Sequence, residues 1–135
     1  MSDAKRILIV DDDTDHLDQI SLIVRSAGYE VCTAQSRQEG EELMLAKAPD
    51  LAILDIMMEE KDAGFILAHN IKKLYPATPV ILLSAVRAAT GLDFSTRSVD
   101  AASWIKADMI MDKPVRPDQL KTEIRRLLAN AGQPA

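Results

Sequence analysis

The sequence predicts one α/β domain: a doubly wound, five-stranded parallel sheet with helices on both faces. Three observations carry this expectation. Short apolar, β-rich runs alternate along the chain with segments whose apolar residues recur at helical spacing, the pattern of successive βαβ units. Two of the runs, Ile7-Leu8-Ile9-Val10 and Val80-Ile81-Leu82-Leu83, are apolar at every position, as central strands covered by helices on both faces must be. The 135 residues, 47% hydrophobic and 27% charged, suit one ordinary globular domain.

The first strand is expected at Arg6 to Val10. A helix follows from about Thr14 to Ala27, with Leu17, Ile20, Val24 and Ala27 on one stripe, Asp13 as its cap and Gly28 as its stop. The second strand, Glu30 to Ala34, leads into a helix opened by the capping box Ser36/Glu39, carrying Leu43 and Met44 and ended by Pro49. The third strand is placed at Leu51 to Leu54. The helix after Gly64 uses Phe65, Ala68, Ile71 and Leu74 and closes before Pro76. Val80 to Leu83 form the fourth strand.

Between Val86 and Ala107 the signals are mixed: Ala88-Ala89-Thr90-Gly91 suits a loop, while Val99, Ala102 and Ile105 place a helix near Ser98 to Ala107. Met109 to Met111 make the fifth strand. Pro117 opens the last helix, where a missing N–H costs nothing, and Leu120, Ile124, Leu127 and Leu128 form its apolar face before Gly132. No repeat, linker or low-complexity run divides the chain. It is expected to be a single domain over residues 1–135, with a core over about 5–129 and a frayed tail at 130–135.

Composition excludes several function classes. A net charge of −5 argues against direct nucleic-acid binding, which needs a basic face to displace counterions from phosphates. The apolar runs are far shorter than the roughly 20 residues of a membrane helix, and the N-terminus has no signal-peptide pattern, so a cytoplasmic address without membrane contact is expected. A lone cysteine, Cys32, cannot form an internal disulfide and is read as a small buried hydrophobe. His16 and His69 have no partner at metal-ligand spacing and are read as helix-surface residues. Trp104 is assigned to packing or partner contact.

The chemistry is expected at the carboxyl ends of the strands, where ligands collect in open parallel sheets. Asp11 and Asp12 follow the first strand, Asp55 the third and Ser84 the fourth, and Lys113 stands just beyond the fifth. Three ionised carboxylates about 5 Å apart would repel by roughly 3 kcal/mol per pair at an effective dielectric of about 20, so a cation must sit among them. An oxygen-only donor set suits Mg²⁺, with Mn²⁺ as a possible substitute. Lys113 adds a second positive charge, and the Ser84 hydroxyl and a nearby backbone N–H can donate to a phosphoryl group. A carboxylate can accept that group as an acyl phosphate, and Asp55 is the candidate.

Four blocks, Ile7-Leu8-Ile9-Val10-Asp11-Asp12-Asp13, Leu54-Asp55-Ile56-Met57-Met58, Leu83-Ser84-Ala85 and Asp112-Lys113-Pro114-Val115, resemble in order and setting the signature blocks of response-regulator receiver domains. The resemblance runs from about Lys5 to Leu128. It implies a flavodoxin-like fold with strand order 2-1-3-4-5 and a phosphoacceptor switch of a two-component system. By the same resemblance Asp55 is the acceptor; Asp12, Asp55 and the Met57 carbonyl bind Mg²⁺ directly; and Asp11 acts through a metal-bound water. Ser84, the Ala85 N–H and Lys113 would hold the phosphoryl group, and a cis bond is expected at Lys113-Pro114.

The implied donor is a sensor histidine kinase or a histidine phosphotransfer protein, and the implied output is altered binding to a downstream protein, as a monomer or a phosphorylation-dependent homodimer. Such a protein is not an enzyme with a separate substrate; it catalyses its own phosphorylation and dephosphorylation. With Met57 and Val86 near the site, neither able to orient an attacking water, slow self-hydrolysis is expected.

The sequence departs from the family pattern in three places. Glu59 stands where a proline is usual and Ala63 separates Asp62 from Gly64; Ile110 replaces the frequent aromatic residue three positions before the lysine; and the interval from Ser84 to Lys113 is several residues longer than in compact members.

Other readings compete. Asp11-Asp12-Asp13 alone could be a turn and helix cap, and Asp55, Ser84 or Lys113 alone would usually be structural or solvated. Asp11 and Asp13 also resemble the paired acids of haloacid-dehalogenase-type phosphohydrolases, with Asp11 as nucleophile, although Asp15 stands where that motif has Thr. A phosphorylation-independent binding module would keep the fold without the chemistry. A flavodoxin-like electron carrier fits least, because the first turn lacks a Ser/Thr/Gly phosphate cradle.

Overall fold

A computed structural model describes residues 5–56, 63–84, 108–112 and 115–131, with side chains of the last segment to residue 129. The described elements are β1 (Arg6–Val10), α1 (Thr14–Ser26), β2 (Glu30–Ala34), α2 (Arg37–Ala46), β3 (Leu51–Asp55), α3 (Ala63–Leu74), β4 (Val80–Ser84), β5 (Met109–Asp112) and α4 (Pro117–Ala131). All five strands are parallel, in the order β2-β1-β3-β4-β5, which is the expected flavodoxin-like arrangement.

Alternation along the strands explains why their sequences are apolar throughout. Ile7, Ile9, Leu51, Ile53, Ile81, Leu83 and Met111 face one way and pack with Leu17, Ile20 and Val24 of α1 and Leu120, Ile124 and Leu127 of α4. Leu8, Val10, Ala52, Leu54, Val80 and Leu82 face the other way, against Met44 of α2 and Phe65, Leu67, Ala68 and Ile71 of α3. A strand with helices on both faces must supply an apolar residue at every position.

The helix ends follow the expected chemistry. The Asp13 side chain accepts from the N–H groups of Asp15 and His16 at the start of α1. Ser36 Oγ accepts from Glu39 N at 3.1 Å, while the Glu39 carboxylate accepts from Gln35 N at 2.7 Å. Gly28, with φ of 93°, turns the chain out of α1, the left-handed geometry that glycine adopts without strain.

The structure corrects several boundaries and faces. β3, β4 and β5 each run one residue past their expected ends, to Asp55, Ser84 and Asp112, because ladder partners continue there. α1 ends at Ser26, and Ala27, expected on its apolar stripe, is exposed. In α3 Phe65, Ala68 and Ile71 are buried as expected and Leu67 joins them, whereas Leu74 is exposed. α4 continues through Ala131, into the stretch expected to fray; residues 132–135 lie outside the described residues, as does the helix expected near Ser98 to Ala107 together with Trp104. Cys32 is half-buried rather than buried, its Sγ accepting from Arg6 Nη1 at 3.4 Å.

Candidate functional site

Parallel register assembles the acidic residues. Val10 pairs with Leu54 across β1 and β3, so Asp11 and Asp55, the next residue in each chain segment, emerge at the same level. Asp55 continues the strand face of Leu51 and Ile53, toward α1. Asp11 follows directly from β1 and its N–H donates to Ala34 O at 3.1 Å, which carries the β1–β2 ladder one step further. Asp12 lies at the exposed rim of the same turn.

As a result, Asp11, Asp12 and Asp55 each place one carboxylate oxygen within 4.8 Å of the others. Asp11 is 1% exposed and Asp55 5%. With all three ionised, an effective dielectric of about 20 gives roughly 3 kcal/mol of repulsion per pair, more than one ordinary hydrogen bond returns. The donor set consists of carboxylate oxygens, the chemistry a small hard cation requires, so these residues fit the divalent ion expected from the sequence.

The three consecutive aspartates divide their work. Asp13 caps α1. Asp11 turns inward, its Oδ1 accepting from the Asp13 N–H at 2.9 Å and its Oδ2 meeting Nδ1 of His16. Asp12 is left at the rim to complete the acidic cluster. One turn therefore supplies a helix cap, an anchored carboxylate and an accessible one.

Ser84 closes β4 and is 1% exposed. Asp55 pairs with Leu83 and Ser84 with Asp112, which sets the serine one residue beyond the level of Asp55 on the neighbouring strand. Lys113, Ala85 and Met57, the other expected site residues, lie outside the described residues, as does the Lys113-Pro114 bond.

The structure overturns the assignment of His16 to the helix surface. Its side chain is only 15% exposed and lies against Asp11; His69, by contrast, is exposed as expected. The signal lay in position: His16 falls in the first turn of a helix capped by Asp13, and that turn abuts the residue that follows β1. Its partner is a carboxylate five residues earlier, a contact that metal-ligand spacing does not reveal.

The start of α3 keeps a close approach despite the altered loop before it. Gly64 N donates to Ile56 O at 2.9 Å, and a Cβ at Gly64 would come within 2.2 Å of the Asp55 carbonyl oxygen. The glycine lets the helix rest directly on the end of the strand that carries Asp55.

Comparison with known proteins adds independent findings. The sequence model of the response regulator receiver domain matches residues 7–125. The transcriptional regulatory protein ZraR of Escherichia coli O157:H7 is 31% identical over 124 residues, 92% of this chain but 26% of that protein; the chain thus spans about a quarter of the length of this curated relative. Among solved structures, a CheY-like response regulator receiver domain protein from Methanospirillum hungatei superposes with a TM-score of 0.79 at 30% identity, covering 95% of this chain and 96% of the other. The signal receiver domain of a signal transduction histidine kinase from Syntrophus aciditrophicus gives a TM-score of 0.80 at 28% identity, covering 98% and 96%.

Proposed function

This chain belongs to the response regulator receiver domain family of two-component systems, and on that premise we propose that it is a switch phosphorylated on Asp55 with Mg²⁺ bound beside it. The donor is a phosphohistidine on a sensor histidine kinase or a histidine phosphotransfer protein. The observation that carries the reading is the gathering of the Asp11, Asp12 and Asp55 carboxylates within 4.8 Å. Asp12 and Asp55 would hold the ion, joined by the Met57 carbonyl, with Asp11 acting through a water; Mn²⁺ is an expected substitute. When bound, the cation supplies positive charge against the phosphoryl oxygens.

An Asp55 carboxylate oxygen attacks phosphorus. The new P–O bond forms as the P–N bond to the donor imidazole breaks, and the imidazole keeps that electron pair and takes up a proton. Lys113, the Ser84 hydroxyl and the Ala85 N–H hold the transferred oxygens. The added charge of about −1.5 to −2 would draw Ser84 inward. Because Ser84 pairs with Asp112 and Leu82 with Ile110, the displacement would reach β5 and shift the balance between two conformations with different affinities for a downstream protein.

The chemistry is thus confined to the chain's own phosphorylation and dephosphorylation, in the cytoplasm where a kinase domain works, and output belongs to another chain or another part of a longer protein. Met57 and Val86 cannot readily orient an attacking water, so self-hydrolysis is expected to be slow. Among the described residues no helix is long and apolar enough to cross a membrane. Family membership sets aside a haloacid-dehalogenase-type phosphohydrolase with Asp11 as nucleophile, and Asp11 has both carboxylate oxygens engaged, by Asp13 and His16.

Labelling by acetyl phosphate in Mg²⁺ tests the assignment. Asp55→Asn is expected to abolish base-labile incorporation. Undiminished labelling of that variant would place the acceptor elsewhere, and failure of a beryllofluoride phosphate mimic to bind in Mg²⁺ would favour a phosphorylation-independent module.

A further inference from the structure

We propose that His16 is a positioning residue for the acidic pocket, setting its cation affinity by locking the Asp11 carboxylate in place; this rests on the proposed Mg²⁺ site. An ionised carboxylate has no proton to donate, so Nδ1 of His16 carries the hydrogen shared with Asp11 Oδ2. The other oxygen, Oδ1, accepts from the Asp13 N–H at 2.9 Å. The two contacts engage both oxygens of one carboxyl group and so restrict its rotation.

His16 is itself held. Its backbone N–H donates to Asp13 Oδ1 at 3.3 Å, its ring is 15% exposed, and the next residue, Leu17, is anchored in the core. The backbone that carries the imidazole is therefore fixed by the α1 cap and the helix packing, and the ring reaches Asp11 from that support. The mutually close donor atoms come from Asp11, Asp12 and Asp55, so the ring acts on the cluster through Asp11 and not as one of its ligands.

Mg²⁺ tolerates little departure from octahedral geometry, so a carboxylate already oriented loses less freedom when the ion or its hydration shell engages it. Hydrogen-bond partners of direct metal ligands typically change metal affinity about 10- to 100-fold when removed, and a partner of Asp11, which acts through a metal-bound water, belongs at the lower end of that range. The sequence offered no such assignment, because His16 lacks any partner at ligand spacing.

Isothermal titration of Mg²⁺ into the wild type, His16→Leu and His16→Asn tests the proposal, with urea unfolding in EDTA to verify folding. Asparagine can put an N–H donor near the place of Nδ1, whereas leucine cannot. His16→Leu is expected to bind Mg²⁺ at least about 10-fold more weakly, His16→Asn to recover most of the loss, and acetyl phosphate labelling of His16→Leu to return to the wild-type rate when Mg²⁺ is raised in proportion. Should His16→Leu fail to fold, His16→Ala carries the same comparison. Wild-type affinity in the folded Leu or Ala variant, or no rescue by Asn, overturns the role of His16 and leaves the Mg²⁺ site standing; absence of Mg²⁺ binding by the wild type overturns both.

Discussion

Gly64 and Asp55 touch through their backbones: a Cβ on the glycine would lie 2.2 Å from the Asp55 carbonyl oxygen and 2.6 Å from Ile56 Cα. Neither obstacle is a flexible side chain, so α3 would have to lift from the end of β3. Gly64→Ala is expected to lower unfolding free energy by about 1–3 kcal/mol, the range of overpacked cores, measured by urea denaturation. A stability equal to wild type would mean that α3 can shift without cost.

Gly28 provides the contrast. Nothing lies within 4 Å of a Cβ built there, but its φ is +93°, so alanine would meet backbone strain without a clash. Gly28→Ala should cost about 1 kcal/mol and leave Mg²⁺ affinity unchanged, because the residue lies at the far end of α1 from the acidic turn. Loss of Mg²⁺ binding in that variant would count against this separation.

Cation binding should be visible as stability. If Mg²⁺ binds the folded pocket and not the unfolded chain, a tenfold excess over Kd adds about 1.4 kcal/mol. Thermal unfolding in millimolar Mg²⁺ is therefore expected to occur at higher temperature than in EDTA. Asp12→Asn, at the exposed rim of the cluster, should fold but lose most of that increment; an undiminished Mg²⁺ effect would place the ion elsewhere.

The second helix offers a local test. Ser36 Oγ accepts from Glu39 N at 3.1 Å, so Ser36→Ala leaves an N-terminal amide without its side-chain partner and should cost about 1 kcal/mol. Ser36→Asp, which restores an acceptor and suits the helix dipole, is expected to recover it in the same urea measurement.

Local sequence was sufficient for much of the architecture. Capping at Asp13 and Ser36, the stop at Gly28 and the apolar strands depend on neighbours close in the chain or on a periodicity short enough to read directly. The placement of Asp11, Asp12, Asp55 and Ser84 at strand ends was legible because strand ends are themselves legible, and parallel strands deliver their ends to one side of a sheet.

Tertiary structure decided what depends on register and on contacts across the fold. β3 and β4 extend through Asp55 and Ser84 because those residues find partners in Leu83 and Asp112 on neighbouring strands, partners that a one-dimensional pattern does not contain. Leu67 is buried and Leu74 exposed because the placement of α3 on the sheet, rather than its apolar spacing alone, selects the covered face. The same holds for His16: its identity and helical position were plain in the chain, but only folding the first turn of α1 back over the end of β1 brings Nδ1 to Asp11. Periodicity reports which residues turn inward, while a polar contact is defined by distance and direction in three dimensions.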